Sequence, residues 1–107
     1  VRVLCIETSS PAGGVAITED GILCAELIVN STETYSRRLL ASVESLFAQL
    51  NLGWNDLGGI AVCTGPGSFT GIRIGIATAK GLALALGSGL TGVSSLDALA
   101  VNASGLD

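Results

Sequence analysis

Histidine is absent from the 107 residues. Its absence removes any Ser-His-Asp or Cys-His catalytic set, and any histidine-ligated zinc, from this chain. Charge is scarce as well, at 13% of residues against the ~25% typical of soluble domains. Nine acids against five bases leave a net charge of −4, which argues against a free-standing electrostatic binder of nucleic acid. The three cysteines, Cys5, Cys24 and Cys63, stand at wide and irregular spacings. Neither a disulfide framework nor a CxxC metal site can be read from them, and they are expected to be small buried apolar residues in a reducing compartment. No long hydrophobic run survives inspection: residues 81–96 carry no charge, but Gly and Ser between Gly87 and Ser95 break the stretch well short of a ~20-residue membrane span. Arg2 precedes a short strand-like run that meets Glu7 after four apolar residues, so no signal peptide is expected. A soluble, cytoplasmic protein is the expectation.

Small residues fill the place of the missing charge, with 15 glycines against a usual share of about 7%. Hydrophobic residues reach 49%, which excludes disorder, and no Gly-X-Y period suggests collagen. The length allows one domain at most.

The first third reads as strands. Val1–Thr8, Gly14–Thr18 and Ile22–Val29 are apolar and β-branched. Ser9-Ser10-Pro11-Ala12-Gly13 joins the first two, and Glu19-Asp20-Gly21, with its Asp-Gly hairpin signal, joins the next two. Two short loops in succession predict an antiparallel three-stranded meander. The period then changes. Leu39, Leu40, Val43, Leu46, Phe47 and Leu50 recur at helical spacing and predict an amphipathic helix over Ser36–Leu50, ended by Asn51-Leu52-Gly53. Gly59–Thr64 predicts a fourth strand, parallel to its neighbour. A second helix follows from Gly71 or Ile72 to Leu86, then a fifth strand over Leu90–Val93 and a third helix over Ser95–Ala103, capped by Ser94 or Ser95. The predicted order is βββαβαβα, an α/β lobe with a mixed five-stranded sheet.

In the second helix, Gly71, Gly75, Ala79, Ala83 and Gly87 fall every four residues and form a ridge that lets another backbone approach closely. Arg73 and Lys80, its two charges, are seven residues apart and share the other face with Ala77 and Leu84.

Gly65-Pro66-Gly67-Ser68-Phe69-Thr70-Gly71 is the most distinctive chemistry in the chain. Backbone N–H groups at a helix N-terminus, freed by glycine from side-chain bulk, form an anion cradle. The loop fits neither standard fingerprint. Ile72 stands where a Walker loop needs lysine, and Thr70 stands at the third glycine position of GxGxxG. A tight strand-to-helix turn with close packing explains the same glycines. Glu7-Thr8-Ser9-Ser10 ends the first strand, where a carboxylate can hold a cation or, through Mg²⁺, a nucleotide phosphate; a solvated Glu with turn-forming hydroxyls explains it too. Ser68 has no local base to make it a nucleophile.

A meander feeding two βα units is the half-molecule of the actin-like and Hsp70-like ATPase superfamily. Three segments sharpen the match: Ile6-Glu7-Thr8-Ser9, Tyr35-Ser36-Arg37-Arg38-Leu39-Leu40, and the run GPGSFTGIRIG from Gly65 to Gly75. Together they resemble the TsaB (YeaZ) family, from Val1 to about Ala100. Family members usually read Asp-Thr-Ser where this chain has Glu7-Thr8-Ser9, and often His-Ser where it has Tyr35-Ser36. The family chain is about twice as long, so the resemblance implies that residues 1–107 form its N-terminal lobe, without the C-terminal lobe.

The resemblance implies an actin-like, ribonuclease H-like fold. It also implies a role in attaching a threonylcarbamoyl group to N6 of adenosine 37 in tRNA. The transfer belongs to the larger paralogue TsaD, whose metal ligands are two His and an Asp; this chain has no His to offer. The implied role is a non-catalytic scaffold that docks with TsaD, joined by the ATPase TsaE, and meets tRNA only through the complex. ATP or ADP with Mg²⁺ is expected at the level of that complex, with Glu7, Thr8, Ser9, Gly65, Gly67 and Ser68 as the residues here suited to an anion or nucleotide. Older usage places the family among M22 glycoproteases, for which the chain has no credible ligand set. The alternative reading is an independent nucleotide-binding or phosphotransfer domain. The two long helices, 36–50 and 71–86, are implied as the docking face for TsaD and for a self-dimer, with Ala77 at its centre and Tyr35, Arg38, Leu39, Arg73, Ile76 and Lys80 around it.

Overall fold

The computed structural model describes residues 1–9, 13–28, 35–65, 67 and 69–93. The strands β1 (Arg2–Glu7), β2 (Gly14–Glu19) and β3 (Ile22–Ile28) are followed by helix α1 (Tyr35–Leu50) and a short 3₁₀ turn at Trp54–Asp56. Strand β4 (Gly59–Cys63), helix α2 (Phe69–Leu86) and strand β5 (Gly89–Val93) complete the described order. The third helix expected over Ser95–Ala103 lies outside the described residues, as do Ser68 and the middle of the first turn.

The five strands form one mixed sheet in the order β3-β2-β1-β4-β5. The meander occupies one side through antiparallel pairs, with Leu4 opposite Ile17 and Ile17 opposite Ala25. The parallel strands occupy the other, with Leu4 beside Ile60 and Ile60 beside Leu90. Asp20 and Gly21 both adopt positive φ at the hairpin tip, as a tight Asp-Gly turn requires. The expected β4 is thus an interior strand, flanked by β1 and β5.

Strand alternation decides which side chains enter the core. Leu4 and Ile6 of β1, Val15 and Ile17 of β2, and Ile60 and Val62 of β4 point to one face and are buried. Leu39, Val43, Leu46 and Phe47 of α1 meet them, together with Ala79 and Ala83 of α2. Phe47 also packs edge-on against Trp54, ring centroids 4.6 Å apart. Both helices carry the chain from the C-terminal end of one strand back to the start of a parallel one. They therefore run parallel to each other, with their N-termini at the same end of the sheet.

Burial departs from expectation at the cysteines. Cys63 is buried and Cys5 half-buried, but Cys24 is exposed. The reason is its strand: β3 is the sheet edge, and Ile22, Leu23 and Ile28 are exposed along with it. No helix of the described residues is long and apolar enough to cross a membrane.

Candidate functional site

Two features emerge where the resemblance directs attention: the junction at the strand ends and the outer face of the helix pair. At the junction, the end of β1 lies directly against the loop leaving β4. Thr8 is wholly buried, and its hydroxyl donates to the carbonyl oxygen of Gly71 in the first turn of α2. The backbone N–H of Ser9 donates to Glu7 Oε1 at 2.6 Å, and the Ser9 hydroxyl donates to the same oxygen. Cys63 Sγ lies 3.6 Å from Ser9 Oγ, to which it donates.

The glycines make this approach possible. Gly65 has a φ of +115°, a conformation that side chains resist. A Cβ at Gly67 would stand 2.6 Å from Ser9 Cβ, and one at Gly75 would run into the Thr8 hydroxyl. Gly67 thus lies against Ser9, which is bonded to Glu7, and Gly65 lies beside Gly67, with Ser68 outside the described residues. The hydrogen bonds they make run within the chain: Thr8 is engaged with α2, and Ser9 with Glu7. Among the described residues, no three His, Cys, Asp or Glu side chains gather closely enough to hold a metal ion.

The helix face is set by the ridge of small residues. Gly71, Gly75, Ala79 and Ala83 are buried toward the sheet, where only small side chains let α2 come close to β1 and β4. The opposite side is left outward: Thr70, Arg73, Ala77, Lys80 and Leu84 are all exposed, Leu84 at 86%. On α1, Arg38, Leu40, Ala41 and Glu44 are exposed.

One expected interface residue is misplaced. Leu39 is fully buried in the core, because it belongs to the Leu39–Val43–Leu46 stripe that meets the sheet. Its neighbour Leu40, 42% exposed, is the apolar side chain on the surface instead. Ile76 is half-buried and packs against the core. Arg38, Arg73, Ala77 and Lys80 stand on the surface as expected; the side chain of Tyr35 lies outside the described ones. The sequence pattern put Leu40 in the apolar stripe with Leu39, but Leu40 sits at the stripe's edge and faces outward. A wheel that weighs each position's distance from the stripe centre would have found it.

The electrostatics of this face run against helix stability. Neither helix has an acid in its first turn, and Arg37 and Arg38 stand near the N-terminus of α1, where the macrodipole is already positive.

Residues 25–106 match the family model of TsaD, tRNA N6-adenosine threonylcarbamoyltransferase. The chain belongs to the TsaD family. This TsaD-family chain is 38% identical over 102 residues to the tRNA threonylcarbamoyladenosine biosynthesis protein TsaB of Bacillus subtilis, which covers 95% of the chain and 44% of that protein. The TsaB of Escherichia coli is 37% identical over 103 residues, covering 96% of the chain and 44% of that protein. Among solved structures, YeaZ from Pseudomonas aeruginosa superposes with a TM-score of 0.76 at 32% identity, over 87% of this chain and 43% of that one. The TsaD-family chain thus spans less than half the length of these relatives. Its mixed sheet and two helices fit the actin-like, ribonuclease H-like fold.

Proposed function

We propose that this chain serves the formation of threonylcarbamoyladenosine in tRNA as a docking subunit, without catalysis of its own. The relatives named TsaB support the pathway. The observation that carries the docking role is the two-sidedness of α2. One flank is spent on the sheet, while the other exposes Ala77 between Arg73 and Lys80, and Leu84 one turn beyond them. An apolar centre with a charged rim is the anatomy of a protein interface. The partner in this reading is the TsaD paralogue, which supplies the transfer chemistry. TsaE and nucleotide join that complex, and tRNA is met only through it, in the cytoplasm.

Substitution at the centre of the face tests the reading. Ala77→Glu buries an unpaired carboxylate if the face is covered, and should weaken association with the cognate TsaD by about 100-fold. Titration calorimetry reads the affinity, and reconstituted tRNA modification reads the consequence. The fold should survive, since Ala77 lies opposite the buried ridge. A variant that binds TsaD as the parent does would place the docking face elsewhere.

A further inference from the structure

We infer that Thr8 and Ser9 are positioning residues: the end of β1 sets where helix α2 stands, and so where its outer side chains meet a partner. The inference rests on the docking role proposed above and extends it to residues buried beneath that face. The carrying observation is a spacing. Gly67, Gly71 and Gly75 fall four residues apart, in the loop and the first turns of α2. All three seat on the same two residues of β1's end. A Cβ at Gly67 would stand 2.6 Å from Ser9 Cβ, one at Gly75 would run into the Thr8 hydroxyl, and Gly71 offers that hydroxyl its carbonyl oxygen. Gly81, further along the same helix, has open space around it, so the close seating is a property of the first turns and not of every glycine in α2.

The Thr8 hydroxyl acts twice at one point. In an α-helix the carbonyl of residue 71 accepts from the N–H of residue 75. Thr8 is a second donor to that oxygen, and its hydroxyl fills the space that Gly75 leaves without a side chain. The hydrogen bond fixes how far α2 has slid and turned; the missing Cβ fixes how near it lies. The seat itself is firmly held. Thr8 is wholly buried, while Ser9, 6% exposed, donates its N–H and hydroxyl to Glu7 and accepts from the Cys63 thiol. The glycine run, which fits neither phosphate fingerprint, is accounted for by this seating.

The seat lies directly beneath the surface. Arg73 stands between Gly71 and Gly75, Ala77 two residues beyond, and both are exposed on the opposite side of the helix. A helix is a stiff cylinder and packed interiors transmit strain, so a displacement of the inner flank reappears on the outer one. Further along, Ala79 and Ala83 hold α2 to the core independently of Thr8. Loss of the seat therefore lets the first turns of α2 shift while the helix stays packed. A merely structural Thr8 would lower stability and nothing else.

Affinity measured against stability separates the two. Thr8→Val keeps the shape and removes the donor, whereas Thr8→Ser keeps the donor. Calorimetric titration with the TsaD paralogue from the same genome should find Thr8→Val about tenfold weaker than the parent and Thr8→Ser within about twofold of it. Gly75→Ala should be weakened likewise, and adding Thr8→Ala to it should recover part of the loss. Circular dichroism shows that each variant is folded. Ile17→Val, a change in the core on β2, supplies a protein of lowered urea midpoint whose affinity should equal the parent's. If Ile17→Val is weakened as much as Thr8→Val, affinity merely follows stability and the inference is overturned. If Ala77→Glu abolishes binding while Thr8→Val and Gly75→Ala bind as the parent does, the docking face stands and the positioning role is overturned. If Ala77→Glu itself binds normally, the docking role has failed and the positioning role with it.

Discussion

The Thr8 hydroxyl donates to the carbonyl of Gly71, joining the end of β1 to the first turn of α2 across 63 residues of chain. One turn along the helix, Gly75 leaves the space that the Thr8 hydroxyl occupies. These two glycines and one threonine fix how closely α2 approaches the central strand.

Coupling between Thr8 and Gly75 follows from that geometry. Gly75→Ala should destabilise the fold by about 1–3 kcal/mol through overpacking, although alanine is the better helix former. Thr8→Ala should cost about 1–2 kcal/mol through the lost buried hydrogen bond. The pair should cost clearly less than the two together, because a Cβ at position 75 stands 3.5 Å from Thr8 Cβ, an ordinary contact, once the hydroxyl is gone. Urea denaturation of the four proteins measures the cycle.

Leu84 offers a test that spares the core. At 86% exposure it contributes little to folding, so Leu84→Ser should shift stability by no more than about 0.5 kcal/mol. If the outer side of α2 is covered in the complex, the same change should weaken TsaD binding by about tenfold, as loss of a buried leucine does. Calorimetric titration beside a thermal melt distinguishes the two effects.

Arg38 should separate stability from binding. It lies in the first turn of α1, where a carboxylate is favoured by the dipole and a guanidinium is not. Arg38→Glu is expected to raise folding stability by about 0.3–1 kcal/mol at low salt, and to weaken docking. A variant that is less stable than the parent would show that Arg38 holds the fold by some other contact.

The cysteines should react in the order of their exposure. Cys24 is open to solvent, whereas burial pushes the Cys5 thiol up from its ordinary value, a hydrogen bond with Thr18 opposing in part. An aromatic disulfide reagent at neutral pH should therefore label Cys24 rapidly and Cys5 and Cys63 only on opening of the fold. The linkage has a definite sign. With the folded value raised, the Cys5 contribution to stability is whole below the unfolded value near 9.0 and is lost as pH rises toward the folded one. The fall in urea midpoint above that pH should be smaller in Cys5→Ala than in the parent.

Much of this was legible in the residues, for reasons that differ by element. The meander was announced by alternation and by Asp20-Gly21, which indeed carry the positive φ of the hairpin. Helix α2 begins at Phe69, two residues before the earliest expected start at Gly71, which reads locally as a breaker. The close approach of Gly71 and Gly75 to Thr8 is a long-range contact that no local pattern contains. The 3₁₀ turn at Trp54–Asp56 went unread for the opposite reason: it is one short turn, closed by two backbone bonds and by Asp56 Oδ2 accepting from the Gly53 N–H at 2.7 Å. The outward face of α2 could be drawn from the helical wheel, since Arg73, Ala77, Lys80 and Leu84 lie opposite the ridge. Leu39 could not be placed so, because a core stripe and an interface stripe ask for the same side chains.

The position of β1 between β2 and β4 has a consequence for how the nascent chain assembles. Its antiparallel partner follows within a short turn, but Leu4 finds its parallel neighbour Ile60 only after the whole of β2, β3 and α1 has been made. The loop that closes that pairing is long, and its entropy is lost before most of the core can form. On the ribosome, the meander can therefore gather early, while the sheet's central seam waits for β4 to emerge.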